Sequence, residues 1–349
     1  MMRMGNAVMV TSTRTSAGKT TVALGLAMNS GAGRPGYFKP LGDQMMYEKK
    51  LLCDEDAALF SGLFGIECPG RLTLGFDPKQ VAAKAGKGRL LEDAFIKASE
   101  GRALTLVESA RNFSYGRSIG LDAISMAKHL GLDLLLVADG DPDIVFDKCS
   151  IVAEMCARRK QSIRGIIINK AEESVLPEMK ATARRCESEF GVPVLGIVPD
   201  DPVIRKLVVE TLAEKLHAKV VAGFRGLSNE VKFIVVGAMS AETATTKSAF
   251  HREGKLVITG GDRADFILKA IESRSAGILL TNNVVPHPSI LSQADEKQIP
   301  ILSISNDTFT AAKLVERIQP ETKAADKAKA EAIKKSVRKN VDVKRALKG

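Results

Sequence analysis

The sequence predicts an α/β protein in which a mostly parallel sheet flanked by helices is followed by a second, smaller α/β domain. Three observations predict it. Short apolar runs rich in Val, Ile and Leu alternate with segments of helix length, a pattern that sets strands side by side with helices on both faces. The first run passes straight into Gly18-Lys19-Thr20 and then a helix-spaced segment, the strand, loop and helix order of a phosphate-binding loop. The 349 residues exceed one typical compact domain, and 45% hydrophobic content is enough to give each of two a core.

Taken in order, residues 7–12 are the first strand, the Gly/Ser/Thr-rich stretch after them is a loop, and 20–28 form the helix. Further strands are expected at 37–38, 104–107, 134–138, 163–168 and 194–198, with helices such as 121–130 and 144–158 between them. Residues 202–217 read as one or two helices. Gly223, Gly226 and Asn229 then mark turns before a fresh strand, which places the domain boundary near 212–230. The second series runs through strands 231–236, 255–259, 277–281 and 301–304 and helices 264–273, 287–297 and 307–318. The domains are thus 1–212 and 213–320, followed by an Ala/Lys-rich tail, 321–349. That tail reads as a solvated helix or a disordered segment, with attraction of acidic partners as the alternative.

The charge of the chain sits mainly at that end. Of the net charge of +10, the last 29 residues carry +6, from ten Lys/Arg against four Asp/Glu, so the body is only mildly basic. Nucleic acid is not expected as a partner of the body, and the tail leaves it open. No apolar run approaches the ~20 residues needed to span a bilayer. Five widely spaced cysteines without a Cys-x-x-Cys pair indicate neither a disulfide framework nor a zinc site. A cytoplasmic location is the expectation. The four histidines, His129, His217, His251 and His287, lack metal-ligand spacing and read as packing or surface residues.

Within the loop Thr13-Arg14-Thr15-Ser16-Ala17-Gly18-Lys19-Thr20-Thr21, backbone N–H groups are expected on phosphate oxygens, Lys19 on the β- and γ-phosphates and the Thr20 hydroxyl on magnesium. A Ser/Thr-rich turn capping a helix is the alternative. Thr13 stands where the strict pattern has glycine. Lys39 ends the second strand and Glu108 the third, on the sheet edge where ligands of open α/β sheets collect. Asp54, Glu55 and Asp56 open a helix between them. Lys39 is a candidate second phosphate clamp, and a carboxylate here is a candidate magnesium ligand. The alternatives are a surface lysine, helix N-terminal acids favoured by the dipole, and a helix-end partner.

Together these residues resemble the dethiobiotin synthetase-like P-loop family, and more closely the N-terminal domain of long phosphate acetyltransferases, over about residues 4–212. The family also has threonine at the place of Thr13, with its glycine one residue earlier, where this chain has Ser12. The resemblance implies a P-loop NTPase domain binding ATP and Mg2+, with Thr13, Thr15, Ser16, Ala17, Gly18, Lys19, Thr20 and Thr21 around the nucleotide. It implies Lys19 and Lys39 as the catalytic pair on phosphates, and Thr20, Asp56 and Glu108 around the metal. It places Asn169 on the adenine edge, which favours ATP over GTP; a buried turn asparagine is the alternative. The glycine-rich turn that follows the glutamate in dethiobiotin synthetases is replaced here by Ser109-Ala110-Arg111-Asn112-Phe113-Ser114-Tyr115-Gly116, which puts carbamate chemistry in doubt. Ser118-Ile119-Gly120-Leu121-Asp122-Ala123 looks like the phosphate acetyltransferase-associated version.

The second domain resembles the DRTGG domain over about 215–318, through Val236-Gly237-Ala238-Met239-Ser240, Ile258-Thr259-Gly260-Gly261-Asp262-Arg263 and Leu279-Leu280-Thr281-Asn282-Asn283. Gly260 and Gly261 offer backbone amides to a small acidic ligand, with Asp262 as helix N-cap, or they form a plain tight turn. Little more than the tail follows 318, so an acetyltransferase activity by itself is not expected. Two functions follow. One is a nucleotide-sensing regulatory protein in which ATP orders the first domain and the second relays its state. The other is an ATP-dependent ligase that phosphorylates a carboxylate or carbamate, as dethiobiotin synthetase does. A homo-oligomer is compatible with either.

Overall fold

The computed structural model describes residues 6–48, 50–66, 72–83, 87–237, 242, 246 and 248–348. Cys68 and residues 238–240 of the Val236 motif lie outside the described residues. The chain forms two compact units, one of Met1–Ile204 with Thr322–Gly349 and one of Arg205–Glu321. The break falls ahead of the expected 212/213 boundary, because Val209 and Leu212 already belong to the core of the second unit.

In the first unit the order is β1 (Asn6–Ser12), α1 (Lys19–Asn29), β2 (Gly36–Phe38), β3 (Met45–Glu48), β4 (Leu51–Asp54), α2 (Glu55–Phe64), α3 (Pro78–Ala83), α4 (Lys87–Ser99) and β5 (Leu104–Glu108). Then come α5 (Ala123–Leu130), β6 (Leu134–Ala138), α6 (Pro142–Arg159), β7 (Ile163–Ala171), α7 (Leu176–Phe190), β8 (Val194–Pro199) and the short α8 (Pro202–Arg205). Six strands make one parallel sheet in the order β2-β5-β1-β6-β7-β8. Every residue of β5 and of β6 is buried, which explains runs such as Leu-Leu-Leu-Val-Ala that do not alternate: both faces of a central parallel strand are covered. Leu134 and Leu136 pack into one core, Leu135 and Val137 into the other. The parallel arrangement brings the ends of β1, β2, β5 and β7 to a single edge, and the phosphate loop leaves from its middle. The β3–β4 hairpin was not legible in the sequence; it delivers Asp54 to the start of α2.

The second unit contains β9 (Leu207–Val208), α9 (Val209–Lys215), β10 (Lys219–Ala222), β11 (Glu230–Val231), β12 (Phe233–Val236), α10 (Ser248–His251), β13 (Lys255–Gly260), α11 (Ala264–Glu272), β14 (Gly277–Thr281), α12 (Pro288–Lys297), β15 (Ile301–Ser303) and α13 (Thr308–Arg317). Its sheet runs β10-β15-β14-β13-β12, parallel except for β10 at the edge. Asp262 is not the cap of α11: that place is taken by Arg263, without a side-chain cap bond.

The tail departs from its expected solvated state. It forms α14 (Lys327–Asn340) and α15 (Val343–Leu347), with Ile333, Val337, Val341, Ala346 and Leu347 buried in the same core as Val22, Leu24 and Leu26 of α1. Asn29 donates from Nδ2 to the Lys334 carbonyl at 2.9 Å, and the Asp342 amide donates to Leu195 O of β8 at 2.8 Å. Apolar positions at 330, 333, 337 and 341 supply one helical face; Lys327, Lys335 and Lys339 are exposed, whereas Lys329 is itself buried.

Candidate functional site

The loop between β1 and α1 carries two left-handed residues, Ser16 (φ 63°) and Gly18 (φ 89°). At Gly18 a Cβ would lie 2.1 Å from Asn169 Nδ2, so both the backbone angle and the packing require glycine. Gly18 caps α1 without a side-chain hydrogen bond, which leaves the first-turn N–H groups directed at the space before the helix. Thr13 is held by its amide to Val137 O at 3.0 Å, and its buried Oγ1 has no hydrogen-bond partner among the described residues. Thr15, Ser16 and Ala17 continue the loop, and Thr20 and Thr21 lie in the first turn of α1.

Lys19, 7% exposed, donates from Nζ to the Arg111 carbonyl at 3.1 Å and lies 3.9 Å from Glu108 Oε1. Thr20 Oγ1 donates to Glu108 Oε1 at 2.7 Å, and Tyr37 OH donates to Oε2 at 3.0 Å. Glu108 is fully buried, and burial, then the charge of Asp56, push its carboxyl up to about 7 against the pull of Lys19 and Lys39. The β5 strand places this side chain, and β1 beside it places the loop, with Val10 in register with Glu108.

Lys39, also buried, does not stand alone at the sheet edge. Its Nζ lies 2.5 Å from Asp43 Oδ1, 3.0 Å from Asp54 Oδ1 and 2.5 Å from Asp56 Oδ2. Burial by itself would lower the Lys39 pKa, but Asp56, Asp54, Asp43 and Glu108 together hold it well above the usual lysine value. Asp54 accepts the Asp56, Asp43 and Gln44 amides and so caps α2, the role expected of it by its position. Burial raises its carboxyl, with Lys39 opposing. Asp43 was missed by sequence reasoning; its Oδ2 accepts the Arg111 amide at 2.9 Å. One residue, Arg111, therefore touches both lysine sites, with its carbonyl on Lys19 and its N–H on Asp43, and it does so at φ 41°.

On the opposite side of the loop, Asn169 Nδ2 donates to Ala17 O at 2.9 Å and Lys170 Nζ to Ser16 O at 2.7 Å. Arg14 makes a two-pronged pair with Asp139, at 2.6 and 2.7 Å. Arg14, Arg111, Asp139 and Lys170 were not singled out from the sequence; the one signal for Asp139 and Lys170 is their place at or just past strand ends. Thr20, Glu108 and Asp56 offer oxygen donors around one edge, the set that a hard cation such as Mg2+ takes, and Lys19 supplies a compact charge beside them. The predicted residues thus come together at one edge of the sheet, with Asn169 engaged by the loop itself.

In the second unit the bareness of Gly261 is explained by the protein's own backbone, since a Cβ there would lie 1.7 Å from Val284 O. A Cβ on Gly260 would meet Asp262 Oδ1 at 2.5 Å. Arg263 donates from Nη1 to Gly237 O and lies over the Phe266 ring. Among the described residues, no helix is long and apolar enough to cross a membrane.

The AAA domain model matches residues 6–221 and the DRTGG domain model residues 211–318. The phosphate acetyltransferase of Nitrosomonas europaea is 26% identical over 350 residues, covering 93% of this chain and 49% of that protein. That of Pseudomonas aeruginosa is 24% identical over 358 residues, covering 93% and 49%. The chain therefore spans about half the length of these curated relatives, matching their N-terminal region. Among solved structures, the CBS and DRTGG regulatory region of a Clostridium perfringens pyrophosphatase, complexed with the activator diadenosine tetraphosphate, is 22% identical. It covers 39% of this chain and 60% of that one at a TM-score of 0.29.

Proposed function

This chain belongs to the dethiobiotin synthetase-like P-loop family of AAA domains and carries a DRTGG domain, and from that premise we propose that it is a Mg-ATP sensor of regulatory function. In this reading the N–H groups of the loop and of the first turn of α1 hold the phosphates, with Lys19 on the terminal ones. Thr20, Glu108 and Asp56 hold the magnesium, which supplies charge neutralisation to the phosphate chain. Lys39 keeps the carboxylates of Asp43, Asp54 and Asp56 together until nucleotide and metal compete for them.

The observation that carries the reading is the double engagement of Arg111. Its carbonyl takes the Lys19 ammonium and its amide is tied to Asp43, so a phosphate that claims Lys19 must release one end of the 109–116 segment. A loop restrained at the nucleotide lysine by a non-glycine residue in a left-handed conformation is suited to report occupancy. The same segment stands where the ligase reading needs a second-substrate turn.

The test combines amide hydrogen exchange with phosphate release. Mg-ATP should bind, alter exchange at 109–116 and give no substrate-stimulated phosphate release; Lys19→Ala should lower affinity by about 2–3 kcal/mol, the scale of a lost charge-assisted contact. Phosphate release stimulated by a carboxylate, or by a diamine with bicarbonate, and abolished in Lys19→Ala would replace this reading with the ligase. Unchanged ATP affinity in that variant would refute the site.

A further inference from the structure

Asn169 and Lys170 are neighbours in β7, and in a regular strand their side chains would point to opposite faces. Here both reach the phosphate loop. The pairing of β7 with β8 shifts register between Ile168 and Ala171, and Lys170 is left-handed at φ 57°. That irregularity turns two consecutive side chains the same way. Asn169, 4% exposed, draws the Ala17 carbonyl with its amide N–H, and Lys170 draws the Ser16 carbonyl. In a trans peptide the C=O and N–H point in opposite directions. Pulling the carbonyls of residues 16 and 17 outward therefore turns the N–H groups of Ala17 and Gly18 inward, towards where a phosphate is held, and keeps two carbonyl oxygens away from an anion. Gly18 completes the arrangement, since the close approach of Asn169 leaves no room for a Cβ.

We propose that Asn169 and Lys170 are positioning residues that hold the phosphate loop in its anion-binding shape, so that both contribute to binding of the phosphate chain of a magnesium nucleoside triphosphate whatever its base. This rests on the nucleotide reading above and adds a role for Asn169 within it: one of its two amide N–H groups anchors the loop through Ala17, and the other N–H and Oδ1 are left for a ligand.

The experiment measures affinity for Mg-ATP, Mg-GTP and magnesium tripolyphosphate by calorimetry. The unchanged protein binds ATP and magnesium tripolyphosphate. Asn169→Ala lowers the affinity for all three ligands by the same factor, about tenfold for one lost anchoring hydrogen bond. In the ligand-free variant, amide exchange at residues 16–19 rises while the sheet strands keep their protection. Lys170→Met, which retains the aliphatic stem, gives the same equal-ratio loss with a smaller factor and serves where Asn169→Ala does not fold. A loss confined to ATP, with tripolyphosphate unaffected, overturns the proposal and returns Asn169 to the adenine edge. Failure of the unchanged protein to bind any of the three refutes the nucleotide reading itself.

Discussion

The contact between α1 and α14 predicts that a substitution favourable to helix formation will destabilise the protein. Gly25 lies inside α1, where replacing glycine by alanine ordinarily gains about 1 kcal/mol. A Cβ at Gly25, however, would lie 2.3 Å from Val337 Cγ2, 2.7 Å from its Cβ and 3.2 Å from its Cγ1. The obstruction includes the root of a stiff β-branched side chain, so rotation cannot relieve it. The two helices must part by about 1 Å, loosening the buried Ile333 and Val337 contacts, and such overpacking costs about 1–3 kcal/mol. Gly25→Ala should therefore lower the stability of the P-loop unit by up to about 2 kcal/mol net, or the melting midpoint by up to about 4–8 °C for a unit of this size. Tyrosine fluorescence reads this unit selectively, because the chain has no tryptophan and its tyrosines, Tyr37, Tyr47 and Tyr115, all belong to it. Val337→Ala should cost about 1–3 kcal/mol alone, and the double variant should recover at least about 1 kcal/mol of the summed loss, since the two changes share one contact. A higher midpoint for Gly25→Ala, or strict additivity of the pair, would refute the docking of the tail.

Two further expectations concern the buried charges. Burial and Asp56 raise the Glu108 carboxyl from its usual 4.5 to about 7, so between those values the folded state holds a proton that the unfolded chain has released. Its contribution to stability is complete below pH 4.5 and is lost as pH rises to 7, by about 3 kcal/mol at most at ~1.4 kcal/mol per pH unit. Against Glu108→Gln, which keeps the neutral shape, the stability of the unchanged protein measured in chelator should fall from pH 5 to 7 and then level; a flat difference would remove the shift. Lys39→Met strands Asp43, Asp54 and Asp56, whose nearest ligand oxygens all lie within 4.8 Å of one another, and should cost about 3–5 kcal/mol as an uncompensated buried charge. Millimolar Ca2+ or Mg2+ should restore more of the melting midpoint in this variant than it adds to the unchanged protein, and equal shifts in the two would count against the cluster.

The parts of this structure that could be read from the sequence share a physical property: they are determined locally. The strands Leu104–Glu108 and Leu134–Ala138 announce themselves because a strand covered on both faces is apolar throughout, and Lys39, Glu108 and Asn169 could be placed because strand ends of a parallel sheet share an edge. What those side chains touch could not. The partner of Asn169 lies 152 residues away at Ala17, and nothing local separates Asp43 from an exposed aspartate until the β3–β4 hairpin and the Arg111 amide meet it. β10 is not legible in the sequence because its four residues sit between His217 and Gly223, among turn formers, and its pairing is antiparallel to the strand it joins.

The tail shows how an average can conceal a pattern. Its lysines dominate the composition, yet Ala330, Ile333, Val337 and Val341 repeat at helical spacing and every one is buried. Residues 322–349 return to complete the unit that begins at the N-terminus, with the second unit placed between its two segments in chain order. The helix that carries Lys19 and Thr20 into the candidate site is thus supported on its outer face by residues that lie beyond the second unit in the chain. A fragment cut at 212, where composition suggests a boundary, lacks that support together with the Asp342 bond to β8. Gly25 and Gly196 make the point independently: one has room only for the Val337 side chain, the other only for the Asn340 carbonyl, at 2.3 and 2.2 Å from where a Cβ would stand. Two glycines in separate elements of the P-loop unit, each shaped to one helix of the tail, mark that helix as part of the P-loop fold rather than an appendage to it.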